Sequence, residues 1–166
     1  MRLAQNSMAC FAAVCTAVVL STLTHAQPPS NDHALQELPI LQKWSGDFPI
    51  AYLDRLPEGQ TGTSIGYIGS KSIFANVWKA LKPEEPVPEI DFSKNLVIYT
   101  RNIRFYNRLS IFKITRKGDT IDVLAMETRS ALPIEDQAAM AMAEIPRKGI
   151  NYIQAGNERI PVSNDH

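Results

Sequence analysis

Seven basic residues and no acidic residue lie between Phe92 and Gly118, and the densest part of this stretch also carries aromatic side chains. That part contains Arg101, Arg104, Phe105, Tyr106 and Arg108. An arginine guanidinium presents a planar fork of donors that matches a carboxylate or phosphate, and aromatic rings add contact area. The cluster therefore predicts a loop that binds an anionic group or a partner protein. The alternative interpretation is that these arginines cap strand ends and pair with the acidic connector over residues 83–91.

Carboxylates are the second chemistry that the sequence offers. Two carboxylates in one cleft can act as general acid and general base. Asp122 and Glu127 lie on one predicted strand and are the candidates for such a role. This predicts, as an alternative function, a small carboxylate-dependent hydrolase or lyase. Most of the 17 Asp and Glu residues are expected only to solvate the surface.

Cysteine and histidine chemistry is limited by the positions of these residues. The two cysteines, Cys10 and Cys15, and one of the three histidines, His25, lie in an N-terminal segment that we expect to be removed. The other histidines, His33 and His166, lie in a polar lead-in and at the last position. A mature domain of this kind has no thiol nucleophile and no thiolate for a metal, and its histidines do not favour a triad. The sequence predicts no catalytic residue, no metal and no cofactor.

The first 26 residues have the form of a secretory signal peptide. Arg2 precedes an uncharged apolar core of about a dozen residues, and Thr24-His25-Ala26 ends the segment. A transmembrane helix needs about 20 apolar residues, which is longer than this core. We expect cleavage near Ala26, a periplasmic or extracellular location, and no transmembrane segment in the mature form. A retained membrane anchor is the alternative.

The composition is that of an ordinary globular domain. The chain has 166 residues, of which 45% are hydrophobic and 20% charged, and Lys+Arg balance Asp+Glu at 17 each. This length corresponds to one domain with tails. We expect a flexible lead-in over residues 27–37 and a single domain over residues 38–163. The balanced charge, together with the absence of a nucleic-acid-binding motif, gives no reason to expect a nucleic-acid partner.

One amphipathic helix is predicted at about residues 70–82. Ser70 can cap its start, and Pro83 cannot continue it. Its apolar residues fall on one face: Ile73, Phe74, Val77, Trp78 and Leu81. Trp78 is therefore interpreted as a core residue.

The remaining pattern is mainly that of β-strands. Strands are predicted at 38–44, 48–53, 65–69 and 95–100, in a hairpin of 108–116 with 120–127, and in a last hairpin of 149–153 with 159–162. In the first hairpin Leu109, Ile111 or Phe112, and Ile114 are expected to face inward. Residues 134–144 fit a helix by their Ala and Met content and a strand by their alternation. The predicted fold class is α+β, a mainly antiparallel β-sheet with the helix at about 70–82 packed on it.

Several short motifs resemble the PrcB-like family, whose founder is a subunit of a cell-surface protease complex. These motifs lie at Phe74–Leu81, Pro88–Val97, Asp119–Val123 and Ala143–Gly149, and the resemblance spans roughly residues 71–153. It implies that residues 139–146 are extended. It also implies a domain that binds or stabilises a protein partner, such as an envelope protease or other complex.

The chain departs from the family pattern at the arginine cluster. The family commonly has a glycine-rich loop with a Gly-Tyr pair between its two central strands, whereas residues 101–108 contain no glycine. The identity of the partner therefore does not follow from the resemblance. The predicted function is an exported non-catalytic domain that binds a protein partner or an anionic ligand. The alternatives are the hydrolase or lyase above and an envelope structural protein without a specific site.

Overall fold

The computed structural model describes residues 35–102, 108–128 and 136–163, which form mainly antiparallel β-sheet with little helix, consistent with an α+β fold. In chain order the elements are β1 Gln36–Glu37, β2 Gln42–Pro49, a 3-10 helix Ile50–Arg55, β3 Ile65–Ile68, α1 Lys71–Leu81, β4 Asn95–Asn102, β5 Arg108–Lys117, β6 Thr120–Thr128, β7 Gln137–Pro146, β8 Tyr152–Ala155 and β9 Glu158–Pro161. The signal peptide and most of the lead-in predicted from the sequence lie outside the described residues.

The strands form two sheets. One has the order β1-β5-β6-β8-β9 and the other the order β2-β7-β4-β3, and we call them the five-stranded and the four-stranded sheet. Their strand pairs are antiparallel apart from β6 and β8, which run parallel over Thr120–Asp122. The parallel pair joins the two predicted hairpins, β5–β6 and β8–β9, into one sheet. The sheets pack face to face around an aliphatic core that includes Ile98, Ile111 and Ile121.

Strand β7 is buried on both faces, which explains its unusual sequence. Ala139, Ala141 and Ala143 belong to the core between the two sheets, whereas Met140 and Met142 belong to the core on the other face, beside α1. Small residues alternate with large flexible ones because one face meets a sheet closely and the other meets a helix. The extended interpretation of residues 139–146 is confirmed.

Helix α1 covers the second face of the four-stranded sheet. The Ser70 hydroxyl accepts a hydrogen bond from the Ile73 amide at 3.4 Å, as an N-cap does. Trp78 is 1% exposed, which confirms its place in the core, and its indole donates to the Glu85 carbonyl at 3.1 Å. The Trp78 ring also contacts Trp44 of β2, edge to face, with centroids 5.5 Å apart. The ring–ring contact therefore ties α1 to the sheet that carries β4.

One local prediction differs from the structure, and one alternative that the sequence left open is decided by it. Residues 38–53 do not form two strands: β2 runs from Gln42 to Pro49, and a 3-10 helix follows. Pro49 has φ −64° and no amide proton, so the ladder stops there and the backbone turns. In β5 a bulge between Ile111 and Lys113 leaves Phe112 60% exposed, while Ile111 is buried. The bulge decides which of the two apolar residues faces inward.

Among the residues that the structure describes, no helix combines the length and apolar character needed to span a membrane.

Candidate functional site

The two ends of the predicted arginine cluster are described, and its centre is not. Arg101 lies near the end of β4, and Arg108 begins β5. Arg104, Phe105 and Tyr106 lie outside the described residues. The structure therefore places one arginine on each sheet, at the ends where β4 stops and β5 starts.

Arg101 is a buried cation held by main-chain carbonyls. Its side chain is only 5% exposed, and its Nε donates to the Thr63 carbonyl at 2.9 Å while Nη2 donates to the Thr61 carbonyl. Its backbone amide donates to the Ser64 carbonyl at 2.8 Å. Its Nη1 is buried and has no hydrogen-bond partner among the residues that the structure describes. Burial lowers the pKa of this guanidinium, and the charge of Glu158 partly opposes that shift.

The loop that receives Arg101 is fixed by a buried tyrosine. The Gln60 carboxamide oxygen accepts from the Tyr67 amide at 2.7 Å and from the Tyr99 hydroxyl at 3.3 Å. Burial raises the pKa of Tyr99, so this phenol remains protonated. The Tyr99 ring lies over Gly66 of β3 so closely that a Cβ there would overlap Tyr99 and Gln60. Sequence analysis did not single out this group, although a glycine inside a strand often marks such a close approach.

An open groove lies beside Arg101, between the ends of the two sheets, and we call it the end groove. Its volume is about 580 Å³, within the range of ligand-binding sites. Its walls combine a loop, strand ends and the β8–β9 turn: Gly62, Thr63, Ser64, Thr100, Arg101, Asn102, Leu109, Val123, Leu124, Ala125, Glu127, Ala155 and Gly156. Carboxylates bind two of these wall residues: Glu158 accepts from the Ser64 amide at 3.0 Å, and Glu127, itself part of the wall, accepts from Asn102 at 2.7 Å.

Arg108 faces away from the core, on the outer face of the five-stranded sheet. It pairs across the ladder with Thr128, whose hydroxyl accepts from its amide at 3.2 Å. The same face carries three exposed apolar side chains: Phe112 at 60%, Leu124 at 54% and Met126 at 54% exposure. We call Phe112, Leu124 and Met126 the outer patch. It begins beside the end groove, since Leu124 belongs to both.

A second open groove, the turn groove, lies at the β5–β6 turn and has a volume of about 730 Å³. Its lining residues are Leu35, Thr115, Arg116, Lys117, Gly118, Asp119, Thr120, Asp122, Gln154 and Arg159. The Arg116 guanidinium donates to the carbonyls of Gly118, Lys148 and Gly149 at 2.6–3.0 Å. All three of its nitrogens are therefore already bound.

Two other charged groups of the turn groove, Arg159 and Asp119, also have partners. Arg159 stacks on Tyr152 at 3.9 Å and donates to the Thr120 hydroxyl at 3.2 Å. Asp119 accepts from Asn151 at 3.1 Å, and hydrogen bonds from Asn151 and Thr120 lower the pKa of this carboxyl. Through these contacts Arg159 and Asp119 stabilise the turns. Within the described residues neither has a buried polar atom that lacks a partner, whereas Arg101 does.

The two candidate carboxylates are not brought together. Asp122 and Glu127 lie five residues apart on β6, so they project to opposite faces and their Cα atoms are about 17 Å apart. Asp122 lines the turn groove, and Glu127 lines the end groove. This arrangement does not provide one cleft with both carboxylates.

The basic stretch pairs only partly with the acidic connector. Lys94 contacts Asp91 at 2.9 Å, and Lys113 contacts Glu37, outside the connector, at 2.8 Å. Hydrogen bonds from Ser93 and Lys94 lower the pKa of Asp91 to about 2. Neither Arg101 nor Arg108 makes an ion pair within the described ranges. Arg101 and Arg108 are thus not neutralised by the connector within the described residues.

Within the same ranges, no three Asp, Glu, His or Cys residues are grouped so that they could hold a metal ion. Comparisons of the chain with protein-family models, curated proteins and solved structures give no match.

Proposed function

We propose that this chain is an exported, non-catalytic domain that binds and stabilises a partner protein through the end groove. The proposal includes cleavage near Ala26, one domain over residues 38–163 with α1 packed on its sheet, and a place in the PrcB-like family. The N-terminal sequence and the motifs described above support these parts.

The observation that carries the proposal is the unpaired Nη1 of Arg101. A buried donor without an acceptor costs about 1–3 kcal/mol, and buried charges are ordinarily fully paired. Here the unpaired nitrogen belongs to a residue that lines an open groove. Nη1 itself has almost no accessible surface, so a carboxylate or carbonyl oxygen of a partner would supply the missing acceptor only where binding moves the adjoining groove wall aside.

The rigid surroundings of Arg101 fit a binding role. Two carbonyls of the loop, at Thr61 and Thr63, fix the plane of the guanidinium. A partner therefore meets a preorganised donor and does not have to order a flexible side chain, which lowers the entropic cost of association.

Affinity capture with matched arginine variants tests the proposal. Wild type, Arg101→Lys and Arg116→Lys would each be used to capture proteins from the envelope fraction of the source cells, with quantitative mass spectrometry as the readout. Lysine keeps the charge but cannot bind two carbonyls and present a further donor in one fixed plane. We expect a specific partner with wild type and Arg116→Lys, and at least tenfold less of it with Arg101→Lys.

Thermal melting of each variant checks that it is folded. The absence of any partner specific to wild type, or equal recovery with a folded Arg101→Lys variant, would overturn the proposal.

A further inference from the structure

Strand β6 loses its neighbour halfway along the five-stranded sheet. It pairs with β5 along its whole length, but with β8 only over Thr120–Asp122. Beyond that point the chain turns at Ala155 and Gly156 into β9, which lies on the far side of β8. Among the described residues, no strand pairs with Val123–Met126 on this side. The open edge borders the end groove.

An open edge of this kind invites the addition of a strand. Proteins usually protect exposed edges with charged residues, proline or a covering element, because unpaired main-chain groups bind other chains. The face of β6 here carries Leu124 and Met126 instead, and the bulge of β5 adds Phe112. Three half-exposed apolar side chains beside an open edge form the combination expected of a docking surface.

We propose that an extended segment of the partner protein adds to β6 as a further strand of the five-stranded sheet, in line with β8 beyond Gly156. This rests on the proposed function and specifies its binding mode. The segment would form main-chain hydrogen bonds with the Val123–Met126 edge, as in other cases of strand addition. Its alternate side chains would lie over the outer patch.

The charges beside the edge define the chemistry of that segment. Successive side chains of a strand alternate between faces, so those beside Leu124 and Met126 lie on the outer face and contact an apolar surface. The exposed Arg108 ends the same face, and no acidic residue pairs with it in the described parts of the chain. The partner segment is therefore extended, apolar at alternate positions, and acidic at the end that meets Arg108.

Site-specific photo-crosslinking tests this geometry. The crosslinking residue p-benzoylphenylalanine would replace Leu124, Met126 or, as a control, Leu41 in the full chain. Leu41 is a matched position because it is 48% exposed and lines neither groove. After irradiation with the envelope fraction, mass spectrometry would locate the crosslinked residues of the partner. We expect crosslinks from positions 124 and 126 to two partner residues that are two apart in sequence, and none from position 41.

Lysine substitutions measure how much the surface contributes. Leu124→Lys and Met126→Lys should each lower recovery of the partner at least tenfold, and Leu41→Lys should change it less than twofold. A synthetic peptide of the crosslinked segment should bind wild type, and replacement of its acidic residue by glutamine should weaken that binding.

The outcomes separate this inference from the proposed function. Recovery of a partner that Leu124→Lys leaves unchanged, or crosslinks that map to a helix or to a second copy of this chain, overturns strand addition while partner binding stands. Failure of wild type to recover any partner overturns both.

Discussion

The end groove and the turn groove are both open, both border β6, and both are lined by arginine, yet Arg101 and Arg116 are used differently. Arg116 in the turn groove places all three of its guanidinium nitrogens on carbonyls of neighbouring turns. Arg101 in the end groove is more deeply buried, binds two carbonyls, and retains one guanidinium nitrogen that has no acceptor in the described part of the chain.

The difference shows how a structural arginine can be distinguished from a binding one. A guanidinium whose three nitrogens all donate already gains less from a ligand, whereas a buried nitrogen without an acceptor gains one and loses no hydrogen bond to water. By volume alone the turn groove would be the stronger candidate site, since it is the larger of the two. The unused hydrogen-bonding capacity of the lining residues is the better guide to a binding site, because it depends on the chemistry of those residues and volume does not.

The largest expected effect of a substitution on stability is at Gly66, which lies behind the end groove. Gly66→Ala places a Cβ where the Tyr99 ring and the Gln60 carboxamide now lie. Because both neighbours are fixed by buried hydrogen bonds, we expect a loss of more than about 3 kcal/mol in the free energy of unfolding. Gly62→Ala is the control: a Cβ at Gly62 meets nothing within 4 Å, and no loss of stability is expected. Urea denaturation of the two variants measures the difference, and equal stabilities would contradict this account of the loop.

The two arginines should differ in what they contribute to stability. Arg101→Ala removes a buried side chain that donates to two loop carbonyls and leaves a cavity, so we expect a loss of about 3 kcal/mol. Arg116→Ala removes bonds at a more exposed site and should cost about 1 kcal/mol. Thermal and denaturant unfolding check the order, and a greater loss for Arg116→Ala would reverse the comparison between the grooves.

Arg108 should affect binding without affecting stability. Its side chain is exposed and makes no ion pair in the described chain, so Arg108→Ala should change the free energy of unfolding by less than about 0.5 kcal/mol. If it meets an acidic residue of the partner, affinity for that partner should fall about tenfold, which corresponds to about 1.4 kcal/mol. Lys148→Ala removes the same charge at another exposed site and should leave affinity unchanged. Titration calorimetry with the partner segment distinguishes the two variants.

The smallest expected effect is the acid sensitivity of the turn groove. The pKa of Asp119 is lowered in the folded protein from 3.8, so its carboxylate stabilises the fold fully above that pH. The stabilisation disappears as the pH falls through the lower, folded-state value. Asp119→Asn should therefore be less stable than wild type at pH 6, and the gap should narrow below pH about 3.8. Melting temperatures between pH 6 and pH 2 test this, with Asp122→Asn on the same groove as the control.

Local elements could be predicted because their signals are local. The apolar stripe and the Ser70 cap indicated α1, and the alternation on both sides of Gly118 indicated the β5–β6 hairpin. The bounds of β2, Gln42–Pro49, were harder to predict. Few of its residues are apolar, so the spacing signal is weak, and the backbone turn after Pro49 is visible only in the structure. The spacing of apolar residues predicts which face of a strand or helix a residue occupies, but it does not predict which strands pair with each other.

The candidate site could be predicted only in part for the same reason. Arg101 and Arg108 were identifiable from residue type and spacing. The acceptors of Arg101 are main-chain carbonyls, which have no side-chain signature, and the loop that supplies them is about 40 residues away along the chain. The open edge of β6 depends on its parallel pairing with β8, and no short sequence motif predicts that pairing.

The position of β7 has a consequence for how the chain folds. This strand lies between β2 and β4 in the four-stranded sheet, and its partners include residues as far away as Gln42, which pairs with Glu144. Among the described strands β7 is the one neighbour of β2 in its sheet, so β2 joins the sheet only when residues 137–146 are available. Such distant contacts slow folding. A nascent chain that ends before β7 thus cannot complete the four-stranded sheet, because β2 and β4 both lack the strand that joins them.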